Sequence, residues 1–236
     1  MTREYFDIGL ETLRRMNALD AYNRWIVQEI RPWIGDIVLE VGAGIGNFSP
    51  FFLDRKQLIL TDVQQNSIDT LKSNFKKYPN VSCEYYNLEE SGETLKNREI
   101  DTIIALNVLE HIEHDEHALK EMASILVPGG RLILQLPAHK VLYGSLDHNL
   151  KHFRRYTIGD IKDKFETAGL VSEKFRRFNM FGTFGWFFCS RVLKKKILPE
   201  GSLALFNRLT PVFIAIERLL PVPFGLSIIA VGRKEA

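Results

Sequence analysis

Three glycines at alternate positions, Gly42, Gly44 and Gly46, follow an apolar run at 37–41, and a carboxylate, Asp62, comes 20 residues after the first of them. Glycines after a buried strand let the backbone turn tightly and approach a ligand where a side chain would intrude. Amides at the start of a following helix would face that ligand as unpaired donors. A carboxylate ending the next strand can accept both hydroxyls of a ribose. Asn87 ends a third apolar run, where an amide can hold an adenine exocyclic amine. The plainer alternative for Asp62 and Asn87 alike is a helix cap. Together these residues read as a nucleotide-type site. Asn47 stands where a dinucleotide fingerprint places its last glycine, and Glu40 precedes the first, so the spacing departs from the dinucleotide pattern.

Other residue types suit a second ligand. His139 follows a fifth apolar run, and His148 and His152 lie close behind it with Asp147 able to orient a ring. Histidine moves protons near neutral pH, so these are the candidate bases. Arg154, Arg155 and Tyr156 have the forked and hydroxyl donors that clamp a phosphate or carboxylate; the alternative is a solvated turn. Residues 139–196 hold 13 Lys and Arg against 5 Asp and Glu, while the rest of the chain holds 18 against 24. That local excess favours an anionic partner, or else marks a solvated face. His111, His114 and His117 recur every three residues, a spacing that drifts around a helix instead of converging on one ion. No metal is expected from them.

The elements that must position these groups alternate. Residues 2–31 have helical spacing through Leu10, Leu13, Met16, Leu19, Trp25, Ile26 and Ile30, stopped by Pro32. Strands are expected at 37–41, 57–61, 81–86, 100–106, 131–136, 171–178 and 226–232. Helices are expected at 46–53, 67–77 and 113–127, and from a Thr157 cap to Ala168 with Gly169 beyond it. Pro128-Gly129-Gly130 stops the third of these sharply. Such alternation predicts an α/β doubly wound, mostly parallel sheet. The 179–225 stretch is too long for a turn and should fold as helices over the sheet, with Leu203, Phe206, Leu209, Phe213, Ile216 and Leu219/Leu220 on one face. Its segment 181–196 mixes aromatics with Arg191, Lys194, Lys195 and Lys196. That segment has three readings: a lid packed on the core, a dimer contact, or a face docked on an anionic membrane.

At 236 residues and 45% hydrophobic content the chain can bury a substantial core. Two distant cysteines, Cys83 and Cys189, argue against a disulfide framework and for a reducing compartment. MTREYFDIGLETLRR carries charges where a signal peptide needs an apolar core, and no apolar run has membrane-spanning length. The expected location is cytoplasmic, at the inner membrane surface if 181–196 docks there.

LEVGAGIGNF (39–48), Asp62, NVLEHI (107–112) and LVPGGRLIL (126–134) resemble the motifs of class I S-adenosylmethionine-dependent methyltransferases. The resemblance covers roughly 35–136. It implies a Rossmann-like methyltransferase fold of seven strands, the seventh antiparallel beside the fifth, with a helical insertion between strands 6 and 7. One domain is expected: a helical cover (1–34), a cofactor-binding core (35–178), a lid for the acceptor (179–225) and a final strand (226–236). It implies S-adenosylmethionine as cofactor and S-adenosylhomocysteine as product. The donor would be held by Glu40, Gly42, Ala43, Gly44, Gly46, Asn47, Phe48, Asp62, Val63, Asn87, Leu88, Asn107, Val108 and His111. The family more often has an aspartate at the position of Asn87. YGSLDHNLKHFRRYT (143–157) and LSIIAVGRK (226–234) look more specifically like a bacterial subfamily that often accompanies glycosyltransferases of cell-surface glycan pathways.

Methyl transfer is an in-line displacement from an already activated sulfonium, so the protein mainly positions the acceptor and excludes water. The expected acceptor is a small molecule or a lipid- or nucleotide-linked glycan, anionic, held by Tyr143, Asp147, Arg154, Arg155 and Tyr156. His139, His148 or His152 would take a proton if attack requires it. Three alternatives remain: a nicotinamide-dependent oxidoreductase, a nucleic-acid methyltransferase, and a non-catalytic cofactor-binding module. Asn107-Val108-Leu109-Glu110 is not the Pro-Pro-aromatic segment that holds a flipped base, so no nucleic acid is expected.

Overall fold

The computed structural model of the chain describes residues 3–90 and 93–235, with side chains from residue 8 onward. Runs such as IVLEV and TIIAL are β-branched and apolar at successive positions, so both faces of the strands they form need cover. They become β1 (Ile37–Val41) and β4 (Thr102–Leu106), neighbours at the centre of a seven-stranded sheet. β2 (Gln57–Asp62), β3 (Val81–Tyr85), β5 (Arg131–Pro137), β6 (Leu170–Phe178) and β7 (Ser227–Lys234) complete the order β3-β2-β1-β4-β5-β7-β6. β1 to β5 run parallel, and β7 lies antiparallel between β5 and β6. This is the Rossmann-like methyltransferase architecture.

Nine α-helices are described: α1 (Arg3–Asn17), α2 (Asp20–Ile30), α3 (Gln65–Phe75), α4 (Glu93–Lys96), α5 (Asp115–Ile125), α6 (Ser145–Asn149), α7 (Ile158–Thr167), α8 (Met180–Phe187) and α9 (Glu200–Leu219). Alternate strand residues supply the two cores, as the pleat requires. Leu39, Val41, Ile103, Leu132 and Leu134 pack with Ala118, Met122, Ile161 and Phe165 of α5 and α7. Val38, Leu58, Leu60, Ile104 and Ile133 pack on the opposite face with Trp25 and Ile26 of α2 and Ile68 and Leu71 of α3. Thr157 caps α7 by accepting from the Asp160 amide while Asp160 accepts from the Thr157 amide.

Four expectations about the elements need correction. The 2–31 helix is two helices: Leu19 leaves the helical conformation, and Asn23 Nδ2 donates to the Met16 carbonyl, capping the end of α1. The 46–53 helix is a single 3-10 turn at Ser49–Phe52. Gly46 has φ +87°, and Pro50 lacks an amide and disfavours the α conformation at Ser49, so no regular helix starts there. The amides facing a ligand therefore belong to the glycine turn itself. On α9 the inward face is Leu203, Phe206, Thr210, Phe213, Ile214 and Glu217, whereas Leu209, Leu219 and Leu220 are exposed. A short helix, α6, forms within 143–157, where none was expected.

Candidate active site

The order of the sheet reverses between β1 and β4, and the residues following these two strands meet there. Gly42 has φ +66°, and a Cβ on it would lie 2.6 Å from Val108 Cγ2. The close approach as well as the left-handed backbone requires glycine. The turn is tied to β2 twice, by Ala43 N to the Thr61 carbonyl and by Gly44 N to Asp62 Oδ2 at 2.9 Å. Asp62 Oδ1 accepts from Gln64 N, also at 2.9 Å. Burial raises the Asp62 pKa, and the Gln64 and Gly44 amides oppose that rise. The Ser67 hydroxyl and the Val63 amide also act on this carboxylate, which thereby fixes the turn at the place where a ribose would lie.

Glu40 is buried behind the turn, where its Oε2 accepts from Ser49 Oγ at 2.7 Å. Burial pushes its pKa from 4.5 to about 7 in spite of that bond. The folded protein thus favours the protonated acid. Its contribution to stability is intact below about pH 4.5 and is lost as pH rises through about 7. Glu40→Gln keeps the shape without the charge. In the cofactor-free protein this variant should be more stable than wild type above pH 8 by about 3 kcal/mol, at about 1.4 kcal/mol per pKa unit, with little difference at pH 4.5. Thermal melts from pH 4.5 to 9 check this, and parallel curves for the two proteins would show that Glu40 is not the titrating group.

The other expected donor-site residues divide. Val63 and Asn107 are exposed beyond their strands, Asn107 with φ +55°, and Val108 lies over Gly42. Asn87 is used locally: Oδ1 accepts from Glu89 N and Nδ2 donates to Glu90 Oε1, both at 3.1 Å. These bonds close a turn over 87–90. Asn47, Phe48 and Leu88 turn inward, contrary to expectation. Asn47 Nδ2 donates to the Leu13 carbonyl, Phe48 packs on the α2 and α3 core, and Leu88 is buried in the α5 and α7 core. Asn47 and Leu13, whose side chain lies over Gly44, bring α1 across the glycine turn.

On the acceptor side, His139 lies two residues beyond β5 with a positive φ of +62°. Such backbone strain in a non-glycine residue collects at functional sites. Its Nε2 is buried and has no hydrogen-bond partner. Burial, then the charges of Arg177 and Arg155, lower its pKa and keep it neutral. His148 is exposed on α6. His152 is buried, with Nδ1 3.0 Å from Asp147 Oδ1 and its ring edge-on to that of His111 at 4.7 Å.

The expected anion clamp is not free. Arg155 is buried, donating Nε to Asp147 Oδ1 at 2.7 Å and Nη1 to the Ala138 carbonyl at 3.0 Å, with its guanidinium 4.7 Å from the Trp186 ring. Tyr156 is buried and donates to Asp115 Oδ2 at 2.9 Å. Arg154 reaches Asp115 Oδ1 at 3.0 Å and the Glu113 carbonyl at 2.7 Å. Tyr143 donates to the His152 carbonyl at 2.6 Å. Asp147 is an internal hub rather than an acceptor contact. These side chains build the wall of the site, and their long-range partners absorb the charge that sequence left unassigned.

Two participants escaped sequence reading. Trp186 Nε1 donates to Asp147 Oδ2 at 3.3 Å, and Ser145 Oγ donates to the Ser190 carbonyl at 2.9 Å, so the stretch after β6 closes over 143–155. Glu110, the acid of NVLEHI, is wholly buried, and both its oxygens lack a hydrogen-bond partner. Burial raises its pKa to about 7, opposed by His152 and Arg155. Its position beside His111 was the available signal.

Comparison with known proteins bears on the domain and the fold. Residues 39–132 match the family model described as a methyltransferase domain. A methyltransferase-like protein of Schizosaccharomyces pombe is 32% identical over 114 residues, covering 46% of this chain and 41% of that protein. A candidate S-adenosylmethionine-dependent methyltransferase of Mycolicibacterium smegmatis is 25% identical over 142 residues, 59% of this chain and 53% of that one. The matched region is thus about half of each of these relatives or less. Among solved structures, a candidate sarcosine dimethylglycine methyltransferase of Galdieria sulphuraria superposes with TM-score 0.63 at 15% identity, covering 91% of this chain and 84% of that one. The [4+2]-cyclase SpnF superposes at 0.60 with 14% identity, covering 92% and 82%. Both structural likenesses are of fold alone.

Residues 39–132 thus match a methyltransferase domain, and the sheet order is that of the Rossmann-like methyltransferase fold. S-adenosylmethionine is the cofactor that domain and fold indicate, in place of a nicotinamide. The residues fit it: Gly42 leaves the turn without a Cβ, and Asp62 offers an anchored carboxylate. When bound, this cofactor supplies an electrophilic methyl group. Asp62 would hold its ribose, and the glycine turn would lie against it.

Proposed function

We propose that this protein transfers the methyl group of S-adenosylmethionine to a small-molecule or glycan-type anionic acceptor. One observation carries the acceptor reading: His139, at the carboxyl end of β5, holds a buried Nε2 without a protein partner beside the positive charges of Arg177 and Arg155. Kept neutral, the ring can accept the proton of an attacking hydroxyl, and the exposed Arg177 guanidinium favours an acceptor that brings negative charge. The wall formed by Asp147, Arg155 and Trp186 excludes water on that side.

A lipid-linked form of the acceptor is favoured by an outer surface. Phe184, Phe187, Phe188, Val192 and Leu193 are exposed along α8 and the turn after it, beside exposed Arg191, Lys194 and Lys195. Leu205, Leu209, Val212 and Leu219 form a second exposed stripe at helical spacing on α9, which Phe181 and Phe213 stack against α8 with ring centres 4.3 Å apart. Apolar side chains beside fixed cations suit an anionic bilayer. No described helix is long and apolar enough to cross one. Cys83 and Cys189, which form no disulfide, support a cytoplasmic location, where the protein would meet its acceptor at the membrane surface.

The test is release of S-adenosylhomocysteine from S-adenosylmethionine across a panel of sugar phosphates, nucleotide sugars and polyprenyl-phosphate glycans. The last are presented in phosphatidylglycerol or phosphatidylcholine vesicles. Turnover is expected with anionic acceptors, and faster on phosphatidylglycerol for the lipid-linked ones. His139→Ala should lower kcat roughly 100-fold while leaving S-adenosylhomocysteine affinity unchanged. Equal turnover of neutral acceptors would remove the anionic reading, and a fall in cofactor affinity would put His139 on the donor side.

A further inference from the structure

The histidine spacing within 111–117 does not make a metal site, but the fold brings a different set together. Glu110, His111 and His152 each offer a ligand atom, and these atoms lie within 4.8 Å of one another. Glu110 and His111 come from the turn after β4, whereas His152 arrives 41 residues after His111, through the loop that follows α6. Glu110 is fully buried, and apart from the pull of its own backbone amide its two oxygens have no partner. A buried carboxylate without partners is unfavourable unless another group completes it.

The His152 ring is oriented as a ligand needs to be. His152 Nδ1 meets Asp147 Oδ1 at 3.0 Å, which leaves Nε2 as its free nitrogen. The His111 ring also interacts with the Leu150 backbone. Metal-bound histidines are characteristically held in this way, by a carboxylate or a carbonyl on the second nitrogen. Asp147 is in turn fixed by Arg155 and by the Gly144 amide.

The geometry points to a site for one divalent first-row transition ion, held by Glu110, His111 and His152. Two imidazoles and one carboxylate suit zinc and its neighbours, whereas magnesium and calcium take mainly oxygen ligands. Three protein ligands leave open positions, and His111 is exposed, so an incoming oxygen has access. The claim of binding is independent of the acceptor proposed above. The role is not: if that reading holds, an open position can take the acceptor's hydroxyl and lower its pKa beside the methyl donor.

Binding is tested on the full chain, stripped of metals with chelator and titrated calorimetrically with Zn2+ alone; Co2+ binding is followed by its visible absorption. One equivalent should bind. Glu110→Gln and His152→Ala should each weaken it at least about 100-fold, and His114→Ala, outside the cluster, should change nothing. Circular dichroism shows whether each variant folds. If His152→Ala does not fold, Glu110→Gln and the exposed His111→Ala carry the test. Absence of saturable Zn2+ binding by the wild type, or binding unaltered by every folded cluster variant, overturns the site. Either result is separable from failure of the acceptor proposal, because no turnover is measured.

Discussion

Replacing Asp62 by alanine should weaken S-adenosylhomocysteine binding by about 3 kcal/mol or more, over 100-fold, since each hydrogen bond to a charged group contributes about 1.5–3 kcal/mol. Two effects act together. The ribose would lose its carboxylate, and the glycine turn would lose the acceptor that holds Gly44 N and the chain after β2. Asp62→Asn separates them poorly but informatively. One of its two side-chain positions becomes an NH2 facing a backbone N–H, so the amide cannot satisfy both Gly44 and Gln64. It should therefore recover little affinity, unlike an exchange at a residue that merely carries charge. Calorimetry with each variant measures the loss, and thermal melting of the ligand-free proteins reports the turn. Full affinity in Asp62→Ala would remove Asp62 from the cofactor site. A large loss of melting temperature with affinity retained would leave it only as a cap.

Why the place of Asp62 in the fold was legible while that of Asn47 was not follows from range. The strands at 37–41 and 102–106 are buried on both faces, and a continuous β-branched run has few other uses. The α7 start was visible because Thr157 and Asp160 satisfy each other three residues apart. Asp62 lies where its strand ends, which alternation alone locates. Asn47, by contrast, is claimed by the Leu13 carbonyl 34 residues away, and α1 had no sequence signal linking it to the glycine turn. The basic segment failed for the same reason. Arg154 and Tyr156 are drawn to Asp115, 39 and 41 residues earlier, and Arg155 to the Trp186 face and the Ala138 carbonyl. A cluster of like charges in sequence says nothing about which of its members are already neutralised in space. His111 and His152 make the opposite case, with no shared spacing and rings in contact.

The internal hub among these residues carries the second large expectation. Asp147→Ala should destabilise the protein by about 3–5 kcal/mol, the usual cost of stranding a buried charge, or roughly 10 °C in melting temperature for a chain of this size. Burial alone would raise the Asp147 pKa, but His152 and Arg155 outweigh it and keep the carboxylate ionised. Its Oδ1 serves Arg155 and His152, and Oδ2 serves Gly144 N at 3.0 Å and Trp186 Nε1 at 3.3 Å. Deletion leaves Arg155 with one carbonyl and an aromatic face. Arg155→Met should cost less, because Asp147 would keep His152, Gly144 and Trp186 as donors. The double variant should cost clearly less than the two singles added, since both remove one shared contact. Urea denaturation of the four proteins measures the cycle, and additive costs would mean the pair is not coupled. The same loss should loosen α6 from Trp186 and the segment after β6, lowering turnover while the cofactor turn, tied to β2 through Asp62, keeps its affinity.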